Sequence, residues 1–212
     1  MKTIINHNGC ILKTTKLNDH QYTYRKTSTI NTTKRINPFY DNGTEDFSSL
    51  LGELYKEINQ LDYIKEFGRE VAWCGEPDIN YIYTGKNHKC SGWNRYIWLL
   101  TTVIREFFQY PNVDDIFNHC LINKYDATMY LNSHKDNEPE LTGAIASLTL
   151  GDSAWFRYGL TNNIPKQTNL QLNNGDIMIG NRKFFETYYH SVSQPINGGT
   201  RFNLTWRTIC NN

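Results

Sequence analysis

The sequence predicts a mostly β fold, a double-stranded β-helix or jelly roll with α helices supporting one face. Two observations carry that expectation. Apolar residues recur at intervals of three and four in two stretches before Pro111, and from about His119 onward the spacing falls to two, in short runs separated by turn signals. Eight short strand candidates after two helices are the pattern of a double-sheet sandwich with a helical cover.

Residues 1–38 hold short apolar pairs, Ile4-Ile5 and Ile11-Leu12, in a background of Thr, Asn and Lys, so short extended pieces or partial disorder are expected there. From Asp46 to Phe67, the residues Phe47, Leu50, Leu51, Leu54, Ile58 and Leu61 form one apolar helical face. Thr44 or Asp46 can cap that helix and Gly68 can end it. Arg69–Trp73 and Ile79–Thr84 read as strands around a turn at Gly75 to Asp78, and Lys86–Trp93 as a polar loop between Gly85 and Gly92. A second helix, about Arg95 to Gln109, carries Trp98, Thr101, Ile104, Phe107 and Phe108 until Pro111 stops it.

The later strand candidates are 119–125, 128–134, 145–150, 155–158, 168–172, 176–179, 188–193 and 201–209. Turn signals at Gly151-Asp152, Asn173 to Gly175 and Asn197 to Gly199 separate several of them. Repeats and linkers are not visible, so residues 39–212 read as one jelly-roll domain and 1–38 as a basic, polar lead-in.

A chain of 212 residues can bury a sizeable core. Its 14% aromatic content suits a wide core, and also planar ligands such as bases. Cys10, Cys74, Cys90, Cys120 and Cys210 are odd in number and form no C-x-x-C pair, which points to reduced thiols and no structural zinc. With no apolar signal region at the start and no apolar run near the roughly 18 residues of a membrane span, an intracellular protein is expected, nuclear or cytoplasmic, with no membrane partner. Net charge is +1 but unevenly placed: residues 1–38 hold seven Lys or Arg against Asp19 alone, while 39–212 hold 15 basic and 20 acidic residues. A basic arm of this kind suits phosphate contact, and a solvated tail fits equally well.

The chemistry gathers around Ser133 to Glu138. In an extended strand, His134 and Asp136 project from the same face. With one distant imidazole, His190, they make the two-histidine, one-carboxylate set that holds non-haem Fe(II) and leaves positions open for a bidentate organic acid and dioxygen. The pair alone also fits two polar residues on a solvated strand. On the last strand, Arg201, Asn203, Thr205 and Arg207 alternate onto one face and Phe202, Leu204 and Trp206 onto the other. A doubly cationic face turned inward is costly unless an anion meets it; turned outward, it is an exposed edge.

In these residues the chain resembles the AlkB-like Fe(II)- and 2-oxoglutarate-dependent dioxygenases that repair alkylated nucleobases. The matching motifs are Asn123-Lys124-Tyr125, His134-Lys135-Asp136, His190 and the alternating Arg201 to Arg207 strand, so the resemblance covers about residues 69–209. It implies that His134, Asp136 and His190 bind iron and carry catalysis, and that Asn123, Tyr125, Arg201, Asn203 and Arg207 hold 2-oxoglutarate. It also implies that Glu138 lies against the damaged base, and that Tyr83 stacks the extruded base against His134 with Tyr81 beside it. Core packing is the other reading of these tyrosines. The segment from Gly68 to Gly75 departs from the family, which often shows Pro before the Arg and Tyr where Cys74 stands. Arg69 is therefore read either as a phosphate contact or as a solvated surface residue, with Lys86, His88 and Lys89 as similar candidates. His7, His20, His88 and His119 have no ligand partner at suitable spacing.

The implied activity is oxidative demethylation of bases such as 1-methyladenine or 3-methylcytosine in DNA or RNA, with Fe(II), 2-oxoglutarate and O2, releasing formaldehyde. A monomer acting on nucleic acid in alkylation repair is expected. Two alternatives stand beside it: the same oxidation applied to protein, to RNA modification or to small molecules, and a jelly roll that binds nucleic acid without catalysis.

Overall fold

Two antiparallel sheets packed face to face, with helices behind the larger, make up the computed structural model, which describes residues 2–17, 21–24, 43–66, 68–77, 79–83, 86–90, 92–107 and 117–210. In chain order the strands are β1 (Lys2–His7), β2 (Cys10–Lys16), β3 (Gln21–Tyr24), β4 (Gly43–Asp46), β5 (Ile64–Glu66), β6 (Arg69–Gly75), β7 (Asn80–Tyr83), β8 (Lys86–Lys89), β9 (His119–Tyr125), β10 (Leu131–His134), β11 (Leu141–Gly151), β12 (Ala154–Gly159), β13 (Thr168–Leu172), β14 (Asp176–Gly180), β15 (Tyr189–Val192) and β16 (Arg201–Ile209). The helices are α1 (Phe47–Ile58), α2 (Arg95–Phe107) and the short α3 (Arg182–Thr187). The large sheet runs β1-β2-β14-β11-β16-β9-β6-β5 and the small one β10-β15-β12-β13, while β3-β4 and β7-β8 form separate hairpins.

Strand alternation sorts the side chains. On β16, Phe202, Leu204 and Trp206 enter the core shared with α1 and α2, alongside Ala146 and Leu148 of β11 and Ile177 and Ile179 of β14. The intervening Ile145 and Met178 join Phe156, Leu172 and Val192 in a second core between the sheets. Trp206 is fully buried, and its Nε1 donates to Thr101 Oγ1 of α2 at 2.8 Å, so one residue ties the central strand to the helical layer. Trp206→Ala is expected to lower unfolding stability by about 3–5 kcal/mol in denaturant titration. A loss below about 1 kcal/mol would show that the core collapses around the gap.

Several boundaries differ from expectation. The first helix stops at Ile58 rather than Phe67, because Asn59 and Gln60 form a turn and the Tyr63 hydroxyl donates to the Ile58 carbonyl at 2.7 Å. Residues 64–66 then pair with β6 as a strand. The stretch read as a polar loop after Gly85 begins with β8, which pairs with β7 in a register that sets Tyr83 opposite Lys86. In α3 the Asn181 side chain accepts from the Phe184 amide at 3.0 Å; six residues are too few to show a helical period.

Residues 2–16 supply two strands of the large sheet, with Cys10 and Leu12 buried and β2 paired to β14. The expected boundary near residue 38, the far end of α2 at Gln109 and the cap side chains of Thr44 and Asp46 lie outside the described residues.

Candidate active site

The ladder between β10 and β15 sets His134 opposite His190, with ring centroids 4.2 Å apart. Asp136 follows two residues after His134. Its Oδ1 lies 3.4 Å from His134 Nε2 and its Oδ2 3.9 Å from His190 Nε2, and the candidate donor atoms of the three residues all lie within 4.8 Å of one another. Two donors each about 2.1 Å from one ion are at most about 4.2 Å apart, so both carboxylate-to-imidazole distances fit a shared ion. His134 Nδ1 is 2.9 Å from the Asn132 carbonyl, which can only accept; Nδ1 therefore carries the proton and Nε2 presents its lone pair to the centre.

Electrostatics keeps Asp136 and His190 in the forms a metal needs, an ionised carboxylate and a neutral imidazole. Burial by itself would raise the Asp136 pKa, but Arg207, whose Nη2 donates to Oδ2 at 3.1 Å, and the two imidazoles hold it well below the usual carboxylate range. Burial, with His134 alongside, pushes His190 down to about 3 against the opposing pull of Asp136, so it is neutral near pH 7. For His134, burial is outweighed by Asp136 and the Asn132 carbonyl, and its pKa is raised. Phe185 and Phe156 pack around His190 at 5.4 and 5.6 Å between ring centroids.

The inward row of β16 continues the cavity wall: Arg201, Asn203, Thr205 and Arg207 line it together with Asn123, Arg69 and the three candidate ligands. Arg201 is fully buried. Its Nη2 donates to Thr149 Oγ1 at 3.0 Å, while Nε and Nη1 meet no hydrogen-bond acceptor among the described residues. A buried guanidinium with two unspent N–H directions is a site for an anionic ligand, and its fork matches a carboxylate. Tyr125 sits opposite Arg201 across the β9-β16 ladder, its ring 5.3 Å from the guanidinium carbon, and is not part of the cavity wall. Asn203 Nδ2 donates to Ser147 Oγ at 2.6 Å, and Asn123 Oδ1 accepts from Arg69 Nε at 2.6 Å.

Neither surface solvation nor a phosphate contact suits the observed Arg69, which is 3% exposed and faces the cavity. Most of β6 is buried on both faces, so local alternation gives no sign of where the side chain goes. His88 also departs from the phosphate reading: it is buried, stacks on Trp73 at 4.1 Å and lies 3.8 Å from Glu66. Glu138 is half-buried and absent from the cavity wall. Tyr81 and Tyr83 lie on β7, but their side chains, like those of Lys86 and Lys89, fall outside what the structure describes.

One contributor has no sequence signal. Arg182 donates from Nη1 to the Asp136 carbonyl at 3.3 Å and from Nη2 to the Glu138 carbonyl at 3.0 Å, fixing the loop that carries the carboxylate. Its targets are backbone atoms, which leave no residue pattern.

His119, opposite Arg207 on β9, is fully buried. Burial first, then the nearby charges of Arg207 and His88, pull it down to about 3. The unfolded chain therefore binds this proton first on acidification, and between about pH 6.5 and 3 stability falls by roughly 1.4 kcal/mol per unit. A flatter acid limb for His119→Gln in pH-resolved denaturation checks this; an unchanged limb contradicts it.

Residues 52–207 match the model of the 2OG-Fe(II) oxygenase superfamily. The chain belongs to that superfamily. It is AlkB-like in sequence: a 99-residue segment, 42% of this chain, is 37% identical to the Alpha-ketoglutarate-dependent dioxygenase AlkB of Escherichia coli (strain K12), of which it spans 44%. The RNA replication protein of Grapevine virus A (isolate Is 151) is 28% identical over 144 residues, which are 67% of this chain and 8% of that protein. In both curated relatives the match spans less than half of the relative's own length. The solved structure of OsALKBH1 superposes with a TM-score of 0.55 at 18% identity, covering 76% of this chain and 93% of that one, and shares the jelly-roll fold. Membership of the 2OG-Fe(II) oxygenase superfamily implies Fe(II), 2-oxoglutarate and O2 as the groups such a site takes. The convergent His134, Asp136 and His190, with Arg201 in the same wall, fit those groups.

Proposed function

We propose that this oxygenase removes alkyl groups oxidatively from damaged bases in nucleic acid, such as 1-methyladenine and 3-methylcytosine. The observation that carries the chemistry is the placement of a two-histidine, one-carboxylate set and a buried arginine with unspent donors in one cavity wall. The relation to AlkB supports a base as substrate, and the RNA replication protein among the relatives supports including RNA.

In this reading His134, Asp136 and His190 hold the iron and Arg201 grips the far carboxylate of 2-oxoglutarate. When bound, iron with 2-oxoglutarate and O2 supplies the oxidation that hydroxylates the N-methyl carbon, the cosubstrate leaving as succinate and carbon dioxide. Arg207 keeps Asp136 ionised, and Asn123, Asn203 and Arg69 orient the cosubstrate through their linked amides and guanidinium. Tyr125 steadies Arg201 from below. Leu131, Phe156, Phe185 and Val192 exclude water from the chamber. Glu138, Tyr81 and Tyr83 are assigned to the base, which must leave its stack or be single-stranded to enter. The hydroxymethyl product then loses formaldehyde and restores the plain base.

The test is a 2-oxoglutarate-dependent demethylation panel over methylated DNA and RNA oligomers, with methylated peptides as a parallel arm. Formaldehyde release matched by loss of the base methyl group is expected on at least one oligomer. Turnover confined to peptides, or succinate formation with every oligomer left methylated, would overturn the reading.

A further inference from the structure

We propose that Gln167, just before β13, is a positioning residue that holds the two histidine-bearing strands at the spacing one metal ion requires. The inference rests on the reading that His134 and His190 bind iron. Ser133 immediately precedes His134 and Ser191 immediately follows His190. Gln167 is hydrogen-bonded to both: Nε2 donates to Ser133 Oγ at 2.9 Å, and Ser191 Oγ donates to Oε1 at 3.3 Å. Nε2 also donates to the Thr161 carbonyl at 3.1 Å, so the amide is spent in both directions. Gln167 and Ser191 are both buried, 8% and 1% exposed.

The tie lies where the backbone alone is weak. Only Leu131 with Val192 and His134 with His190 are in register between β10 and β15, and the register shifts between these two pairs. Along a strand, neighbours of an inward residue point outward, so Ser133 and Ser191 stand on the face away from the iron site. Gln167 bridges them there. Its path crosses β12 at Gly159, where an added Cβ would meet Gln167 Cγ at 3.0 Å and Cα at 3.3 Å. Gly159 thus forms the notch through which the glutamine reaches the histidine strands, and no residue of the cavity wall is involved.

Residues that orient ligands from behind typically contribute about 10–100-fold to metal affinity, and a tie acting one residue removed belongs at the lower end. The experiment titrates Co(II), a redox-stable probe, into the full chain without oxygen and follows its visible absorption. Parallel kinetics at saturating iron measure the KM for 2-oxoglutarate. For Gln167→Ala, Co(II) affinity is expected to fall about tenfold while the KM for 2-oxoglutarate stays within about twofold, since Arg201 is untouched. Gln167→Glu keeps acceptors for both serine hydroxyls but sets a carboxylate oxygen against the Thr161 carbonyl in a buried site, so it is not expected to restore wild-type affinity.

Ser133→Ala and Ser191→Ala each remove one tie and decide the matter if Gln167→Ala does not fold. Each is expected to weaken Co(II) binding severalfold, and the Ser133→Ala, Ser191→Ala pair to reproduce Gln167→Ala. Wild-type Co(II) affinity in all of these variants would overturn the proposal while leaving the iron reading intact. Absence of stoichiometric Co(II) binding in the unmodified chain would instead defeat the iron reading itself.

Discussion

Replacing His134 by alanine is expected to reduce 2-oxoglutarate-dependent turnover by more than about a hundredfold, exceeding the 10–100-fold typical when a residue merely supporting a ligand is lost. The side chain of His134 is 30% exposed and its Nδ1 bond goes to a carbonyl two residues away, so the fold does not depend on it. The variant should therefore keep its circular dichroism spectrum and unfold within about 1 kcal/mol of the parent, as substitutions away from packed features do. Loss of one imidazole leaves Asp136 and His190 as a two-donor site, and the missing donor is the one whose lone pair the Asn132 carbonyl aims at the centre. Formaldehyde release at more than a tenth of the parental rate, with iron supplied, would remove His134 from the site.

Arg201→Met should separate binding from folding, because its two effects have opposite signs. The guanidinium is fully buried with Nε and Nη1 unmatched among the described residues, and burial pulls its pKa down against the opposing pull of Tyr125. Exchanging buried ionic groups for apolar side chains of similar volume is often neutral or stabilising by about 1–4 kcal/mol, so thermal stability without ligand should hold or rise. The lost contact with Tyr125 offsets part of that gain.

With 2-oxoglutarate the same exchange removes the partner of a buried carboxylate, a loss of about 2–5 kcal/mol, so KM should rise at least about 30-fold. The melting shift that 2-oxoglutarate confers on the parent should vanish as well. Lysine is not expected to rescue, since a point charge cannot supply the two-pronged fork. A KM within threefold of the parent would place the cosubstrate elsewhere.

The parts of the fold that were readable share a local cause. β9, β13 and β16 have the limits that the two-residue period assigned them, and on β16 the split between Arg201, Asn203, Thr205, Arg207 and Phe202, Leu204, Trp206 reappears as cavity wall against helical core. The apolar face of α1 from Leu50 to Ile58 was equally plain. What stayed hidden depends on partners distant in sequence. Thr3 and Ile5 of β1 pair within a hairpin whose second strand joins β14 some 160 residues on, and nothing near residue 10 announces that partner.

Arg69 could not be placed because its strand is buried on both faces. Arg182 could not be found because its acceptors are the carbonyls of Asp136 and Glu138. The candidate ligands could be named from the sequence, but their convergence depends on a single cross-strand pair, His134 with His190, that only the fold reveals.

His134, Asp136 and His190 are proposed to hold one iron beside a 2-oxoglutarate gripped by Arg201. Anaerobic titration of Fe(II) into the chain with 2-oxoglutarate, followed by visible absorption, tests it most directly. A metal-to-ligand charge-transfer band is expected that saturates at one iron per chain, requires 2-oxoglutarate, and disappears in Asp136→Ala. A folded parent chain that gives no band, or a band of undiminished amplitude in Asp136→Ala, would contradict it.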